Sequence, residues 1–184
     1  NFYFSGAGEL TAESAQTDAD FQQTLEDLRA LYAPVGITIG ELTYTDIDAV
    51  YQVIEGVVLP DSELQEMFAL SGDNPARGLN VFIVDELLAV GQGGGIGTIL
   101  GISGGIPGPA FPGTKRSGVA VALARTPEAN TALYKVLGHE IGHHLGLFHS
   151  TEANQGFGPS IHDPIADTPE DDNTNLMFHF GDGS

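Results

Sequence analysis

The chain has 184 residues and a mass of 19.3 kDa, is 41% hydrophobic with a mean hydropathy of +0.01, and so suits one soluble globular core. No run approaches the roughly 18 apolar residues of a membrane span. With 25 acidic residues against 6 basic ones, the net charge of -19 repels phosphate backbones and anionic bilayers, excludes nucleic acid as a partner and favours basic substrates. The absence of cysteine removes disulfides, thiolate-bound zinc and thiol catalysis together.

Taken in chain order, Asn1 to Ser5 predicts a short strand closed by Gly6 to Gly8. Such a start, with no signal peptide, predicts a mature or trimmed fragment. Thr17 and Asp20 form a capping-box pattern, and Phe21, Leu25, Leu28 and Leu31 recur at helical spacing until Pro34 and Gly36, which predicts an amphipathic helix over 18–33. Ile37 to Tyr44 alternates with β-branched residues and predicts a second strand. Asp61 to Leu70 predicts a short helix opened by Pro60 and closed by Gly72. Leu79 to Leu88 predicts the best strand of the chain, in a central place with both faces covered.

From Gly91 to Gly118 glycine and proline dominate. The run Gly91 to Gly97 is not a phosphate loop, because no helix start follows it, and it predicts a mobile loop beside a sheet edge. Ile99 to Ile102 predicts an irregular edge strand and Val119 to Leu123 another strand. Thr126-Pro127-Glu128 starts a helix whose apolar face carries Leu133, Leu137, Ile141 and Leu145. Beyond Gly146 periodicity is weak, so order there is expected to depend on bound metal and on packing against this helix.

His139 and His143 stand at i and i+4, one above the other on one helical face, where both can reach a single ion. Glu140 projects beside that ion. Gly146 lets the backbone leave through a left-handed conformation and swings His149 round as a third nitrogen ligand. Three imidazoles leave the fourth tetrahedral position of a zinc ion open for water, which is the arrangement of a catalytic site. His144, one residue from a ligand, points away from the metal face and reads as a packing or surface histidine.

The pattern His139, Glu140, His143, Gly146, His149 resembles the extended zinc signature of the metzincin metallopeptidases. Within that clan it most resembles the pappalysin family, because Asp163-Pro164-Ile165-Ala166-Asp167-Thr168-Pro169 precedes Asn175-Leu176-Met177. The resemblance implies an α/β catalytic domain: a twisted, mostly parallel sheet with one antiparallel edge strand, two long helices behind it and an irregular C-terminal subdomain. It implies a single domain over 1–184, with 1–146 as the upper subdomain and 147–184 as the lower, and a secreted or extracellular location. Met177 would be the Met-turn methionine, a hydrophobic floor under the histidines. Pappalysin-like enzymes carry tyrosine two positions after that methionine; His179 stands there and either donates a hydrogen bond to the reacting carbonyl or is a surface residue. The chain ends soon after Met177, which predicts that the natural protein runs on into a further helix completing the pocket.

The chemistry expected is hydrolysis of peptide bonds in a protein or peptide substrate, with Glu140 as general base and zinc as cofactor. An extended substrate would pair along the segment from Ile99 to Gly104. The alternatives are a zinc hydrolase of non-peptide substrates and a binding module stabilised by its metal. Asp163, Asp167, Glu170, Asp171 and Asp172 crowd one segment and read equally as a calcium site or as a solvated acidic loop. Oligomeric state is left open by the sequence.

Overall fold

The structure, a computed structural model, describes residues 1–57, 61–74, 77–90, 95–123, 133–152, 160–169 and 172–179. Its centre is a five-stranded sheet. Strand β1, Phe2–Phe4, lies between β2, Tyr44–Asp46, and a strand at Val81–Val84, and pairs parallel with both. Between them along the chain come α1, Ala19–Tyr32, then β3, Val53–Glu55, and α2, Glu63–Ala69, so that Val81–Val84 is β4. After it follow β5, Glu86–Val90, β6, Ile96–Ile99, β7, Gly101–Ser103, and β8, Val119–Ala122. The strand order is β2-β1-β4-β8-β7, with only the edge strand β7 antiparallel. The expected mostly parallel sheet with an antiparallel edge is therefore present.

Alternation along the strands sorts the core into two layers. Phe2, Phe4, Val81, Ile83, Val119 and Val121 meet Phe21, Leu25 and Leu28 of α1 and Leu133 and Leu137 of the helix α3, Leu133–His144. Tyr3, Phe82, Val84 and Ala120 face the other way, onto Ile54, Leu64, Met67, Phe68 and Leu87. Both faces of β4 are thus covered and all four of its residues are buried, which is why it reads as a continuous apolar run. Each large side chain that is fully buried there, such as Phe4 or Phe82, contributes about 1.5–3 kcal/mol.

Several boundaries differ from the sequence reading. The second strand is Tyr44–Asp46 and not Ile37–Tyr44, registered Phe2↔Tyr44 to Phe4↔Asp46, and β1 with its three residues keeps the ladder that short. Ile39 and Leu42 pack on the core from outside the ladder. Helix α1 is capped by Asp18, whose carboxylate accepts the Phe21 N–H at 2.8 Å, and not by the Thr17 and Asp20 pair. The run from Leu79 to Leu88 breaks at Asp85, whose N–H bonds Gln52 O, and its second half joins a separate sheet of order β3-β5-β6. Ile96–Ile99 is that sheet's antiparallel edge and not loop, and the expected strand Ile99 to Ile102 divides at Leu100 between two sheets. Leu145 is 56% exposed, since it lies past the last helical residue. The helix start at Thr126, Pro60 and the glycines 91–94 lie outside the described residues.

Candidate metal centre

Helix α3 carries His139 and His143 on one face, both buried, and ends in a geometry that only glycine adopts freely. Gly146, at φ 108°, donates to His143 O at 2.9 Å, and the Leu147 N–H donates to Gly142 O at 2.9 Å. This paired closure turns the chain sharply and brings His149 back across the helix end. The three histidines form the one group, among the described residues, of three or more potential ligands close enough to share an ion.

Their hydrogen bonds decide what they can hold. Each Nδ1 faces an atom that only accepts: Leu176 O at 2.7 Å from His139, Leu147 O at 2.8 Å from His143, and Glu152 Oε1 at 2.7 Å from His149. Each Nδ1 therefore carries the proton, and burial, which pushes His139 down to about 4 and lowers His143 too, keeps those two rings neutral. Nε2 of His139 and of His143 is left with a lone pair, and both converge on Nε2 of His149, which lies 3.0 Å from the first and 3.1 Å from the second. Lone pairs this close repel unless a cation, a metal ion or a proton, sits between them. A zinc ion with bonds of about 2.0 Å at tetrahedral angles needs nitrogens roughly 3.3 Å apart, a few tenths of an ångström wider than found, so the donor set fits zinc.

Glu140 is 6% exposed, and its carboxylate lies against the edge strand, where a Cβ added to Gly101 would come within 2.9 Å of Oε1. Burial pushes its carboxyl up to about 8, against the opposing pull of a hydrogen bond from the Ser103 backbone. Met177 is buried and packs on the helix backbone from below: a Cβ at Gly142 would stand 2.5 Å from its Sδ. Asn175 Oδ1 accepts the Met177 N–H at 2.8 Å, and Met177 O accepts the Ser150 N–H at 2.9 Å, so this turn is tied to the residue after the third histidine.

The family model for matrixins matches residues 12–178. The chain belongs to the matrixin family. No curated protein matches it. As a matrixin it is a zinc-dependent endopeptidase of the metzincin type, a hydrolase acting on proteins or peptides, with the histidine triad positioned for zinc. Those assignments replace the two alternatives, a hydrolase of other substrates and a metal-stabilised binding module. No described helix of this matrixin is long and apolar enough to cross a membrane.

The remaining predicted residues fall as follows. His144 stays outside the metal group and packs on the segment before β8, where a Cβ at Gly108 would meet its ring at 1.9 Å. His179 has its ring centroid 6.5 Å from that of His149, and its Nδ1 is buried without a hydrogen-bond partner. Asp163, Asp167 and Asp172 do not converge: Asp163 caps Ile165 N–H, Asp167 accepts from Thr168 Oγ1 and Asp172 from the Thr174 N–H, while Glu170 and Asp171 lie outside the described residues. Sequence reasoning missed Glu152, a carboxylate three residues past His149 whose spacing was itself a usable signal. It also missed the carbonyls of Leu147 and Leu176, which leave no trace in side-chain identity.

Proposed function

We propose that Glu140 is the proton-transfer group of peptide hydrolysis in this matrixin and that the substrate lies extended along β7. A zinc ion held by His139, His143 and His149 would lower the pKa of a water molecule to about 7 and polarise the scissile carbonyl. Glu140 accepts a proton at its carboxylate and returns it to the leaving amine; burial raises this carboxyl above the ordinary carboxylate range, and a zinc ion beside it would draw it back down. Pairing of β7 with β8 uses the backbone groups of Leu100, Ile102 and Gly104, which turns the Gly101 groups and the Ser103 carbonyl outward to receive a peptide strand, while the Ser103 N–H holds Glu140. The observation that carries the reading is the placement of the Glu140 carboxylate between the zinc helix and this edge.

Two finer readings belong to the same proposal. His179 donates a hydrogen bond to the reacting carbonyl oxygen, which is supported by its unpartnered buried Nδ1 and its closeness to His149. A special relation to pappalysin-like enzymes within the clan, and an extracellular location with it, are supported by the segment from Asp163 to Met177 alone.

The test is Glu140→Gln. Casein cleavage should fall below about 1% of the parent, the usual loss of a general base, while metal analysis still finds about one zinc per chain. A variant that keeps more activity than this removes Glu140 from the role.

A further inference from the structure

On the other edge of the main sheet a cavity of about 590 Å³ opens beside β2, between the turns carrying Asp48 to Tyr51 and Leu70 to Asn74. Asp46, Asp48 and Asp73 line it together with Tyr3 and Tyr51, and none of its lining residues is basic. Asp46 and Asp48 are held in place at the rim, each with one carboxylate oxygen on a backbone N–H, of Ala12 and of Val50. Their negative charge is otherwise unanswered within the cavity; burial raises the Tyr51 phenol above its ordinary value, and Glu66, Asp48 and Glu63 raise it further.

The floor is Tyr3. Its ring stacks on Phe82 at 4.5 Å on the sheet face turned away from the zinc helix, and the residue is 2% exposed. Its hydroxyl oxygen is buried in the cavity lining with no hydrogen-bond partner, the Asn74 side chain lying beside it. A buried hydroxyl in that condition costs stability, and a ligand that reaches it removes the cost.

The arrangement discriminates between cations. A single metal ion needs ligands that converge, and among the described residues only the three histidines do so. Three carboxylates spread round a volume within the usual range of ligand sites instead match a planar, delocalised cation, whose several N–H donors reach different acceptors at once. A guanidinium also stacks on a phenol ring such as that of Tyr51.

We propose that this cavity docks an arginine side chain of a protein bound by the enzyme, at a place remote from the zinc centre. β2 and β7 are opposite edges of the sheet, four strand spacings or about 19 Å apart, so a short peptide in the zinc cleft does not reach it and a longer chain does. The site is independent of the reading of Glu140 and His179, and its test uses binding alone.

The test is an NMR titration of the zinc-loaded full chain at about 0.1 M salt, with N-acetyl-arginine amide as probe and its neutral isostere N-acetyl-citrulline amide as control. The arginine derivative should give saturable shifts in the backbone amides of Tyr3, Thr45 and Asn74, and the citrulline derivative should bind at least about tenfold more weakly, the worth of one charge-assisted hydrogen bond. Asp48→Asn combined with Asp73→Asn, at two exposed positions, should weaken the arginine derivative by a similar factor and leave the remaining spectrum in place. Equal binding of the two probes, shifts that never saturate, or undiminished binding by the double variant would each overturn the proposal.

Discussion

Glu152 accepts the Nδ1–H of His149 at 2.7 Å and so sets which nitrogen of that ring faces the metal. His139 and His143 receive the same service from backbone carbonyls, which no side-chain substitution removes. Glu152→Ala is therefore the substitution that isolates the effect, and it should weaken zinc binding by about 10-fold to 100-fold. Competition against a chelating dye measures it. Because the Glu152 side chain is 58% exposed, the zinc-free variant should melt with the zinc-free parent; unchanged zinc affinity would show that the bond does not orient the ligand. The ligands themselves were legible in the sequence because a helix converts spacing into direction: His139 and His143 four apart share a face whatever the rest of the protein does.

Helices α1 and α3 approach each other closely at Gly138. A Cβ at Gly138 would come within 2.5 Å of Leu31 Cδ2, and Tyr32 at the end of α1 donates its hydroxyl to Gly138 O at 2.7 Å, one residue before the first ligand. Burial pushes the Tyr32 phenol up to about 12 from its ordinary 10.0. The folded state holds this proton more tightly than the unfolded chain, so the contribution of Tyr32 is fully present below pH 10 and is lost as pH rises from about 10 towards about 12. Tyr32→Phe should cost about 1 kcal/mol at neutral pH, the net worth of the hydrogen bond, and should flatten the alkaline limb of stability. Urea titrations at pH 8 and near pH 11 read both effects, and parallel losses in parent and variant would remove the assignment. This approach was half legible: Leu25, Leu28, Leu133 and Leu137 announced two apolar faces, but nothing in their spacing said that the two faces met each other at Gly138.

Across the whole molecule, the zinc centre joins parts that the sheet alone does not. His139 and His143 stand on α3, His149 beyond its end, and the Ser150 and Met177 backbones are bonded to each other, so one ion would fasten the helix to the described segments that follow it, 147–152, 160–169 and 172–179. The short antiparallel pair β9, Thr151–Glu152, with β10, Ile161–His162, is the only regular structure of those segments among the described residues. His162 adds a second fastening, with Nδ1 at 2.9 Å from Thr151 Oγ1 and Nε2 at 2.9 Å from Thr168 O. Removing the ion should therefore destabilise the protein substantially. A ligand present at about a thousand times its dissociation constant adds about 4 kcal/mol, which for a chain of this size corresponds to a fall in Tm on the order of 10 °C on chelation. Calorimetry before and after chelation, with zinc restored as control, checks it; coincident curves would mean that this region holds its shape without the metal.

What the sequence determined by itself is everything local to one helix and its exit: two histidines and a glutamate at fixed angular offsets, a glycine whose left-handed φ turns the chain, and a third histidine within reach. Those relations follow from helical geometry as far as His144 and from the turn at Gly146 beyond it. The apolar run at Val81–Val84 likewise announced a buried central strand. Tertiary structure alone decided where that run ends, because Asp85 leaves the main sheet for a bond to Gln52 that lies far away in sequence. It also decided which part of Ile37 to Asp46 pairs with β1, since three residues of β1 leave room for only three partners among those ten. The same holds for the carbonyls of Leu147 and Leu176 and for the gathering of three aspartates round one cavity: backbone acceptors are identical at every residue, and side chains from separate turns meet only once the sheet has brought those turns together.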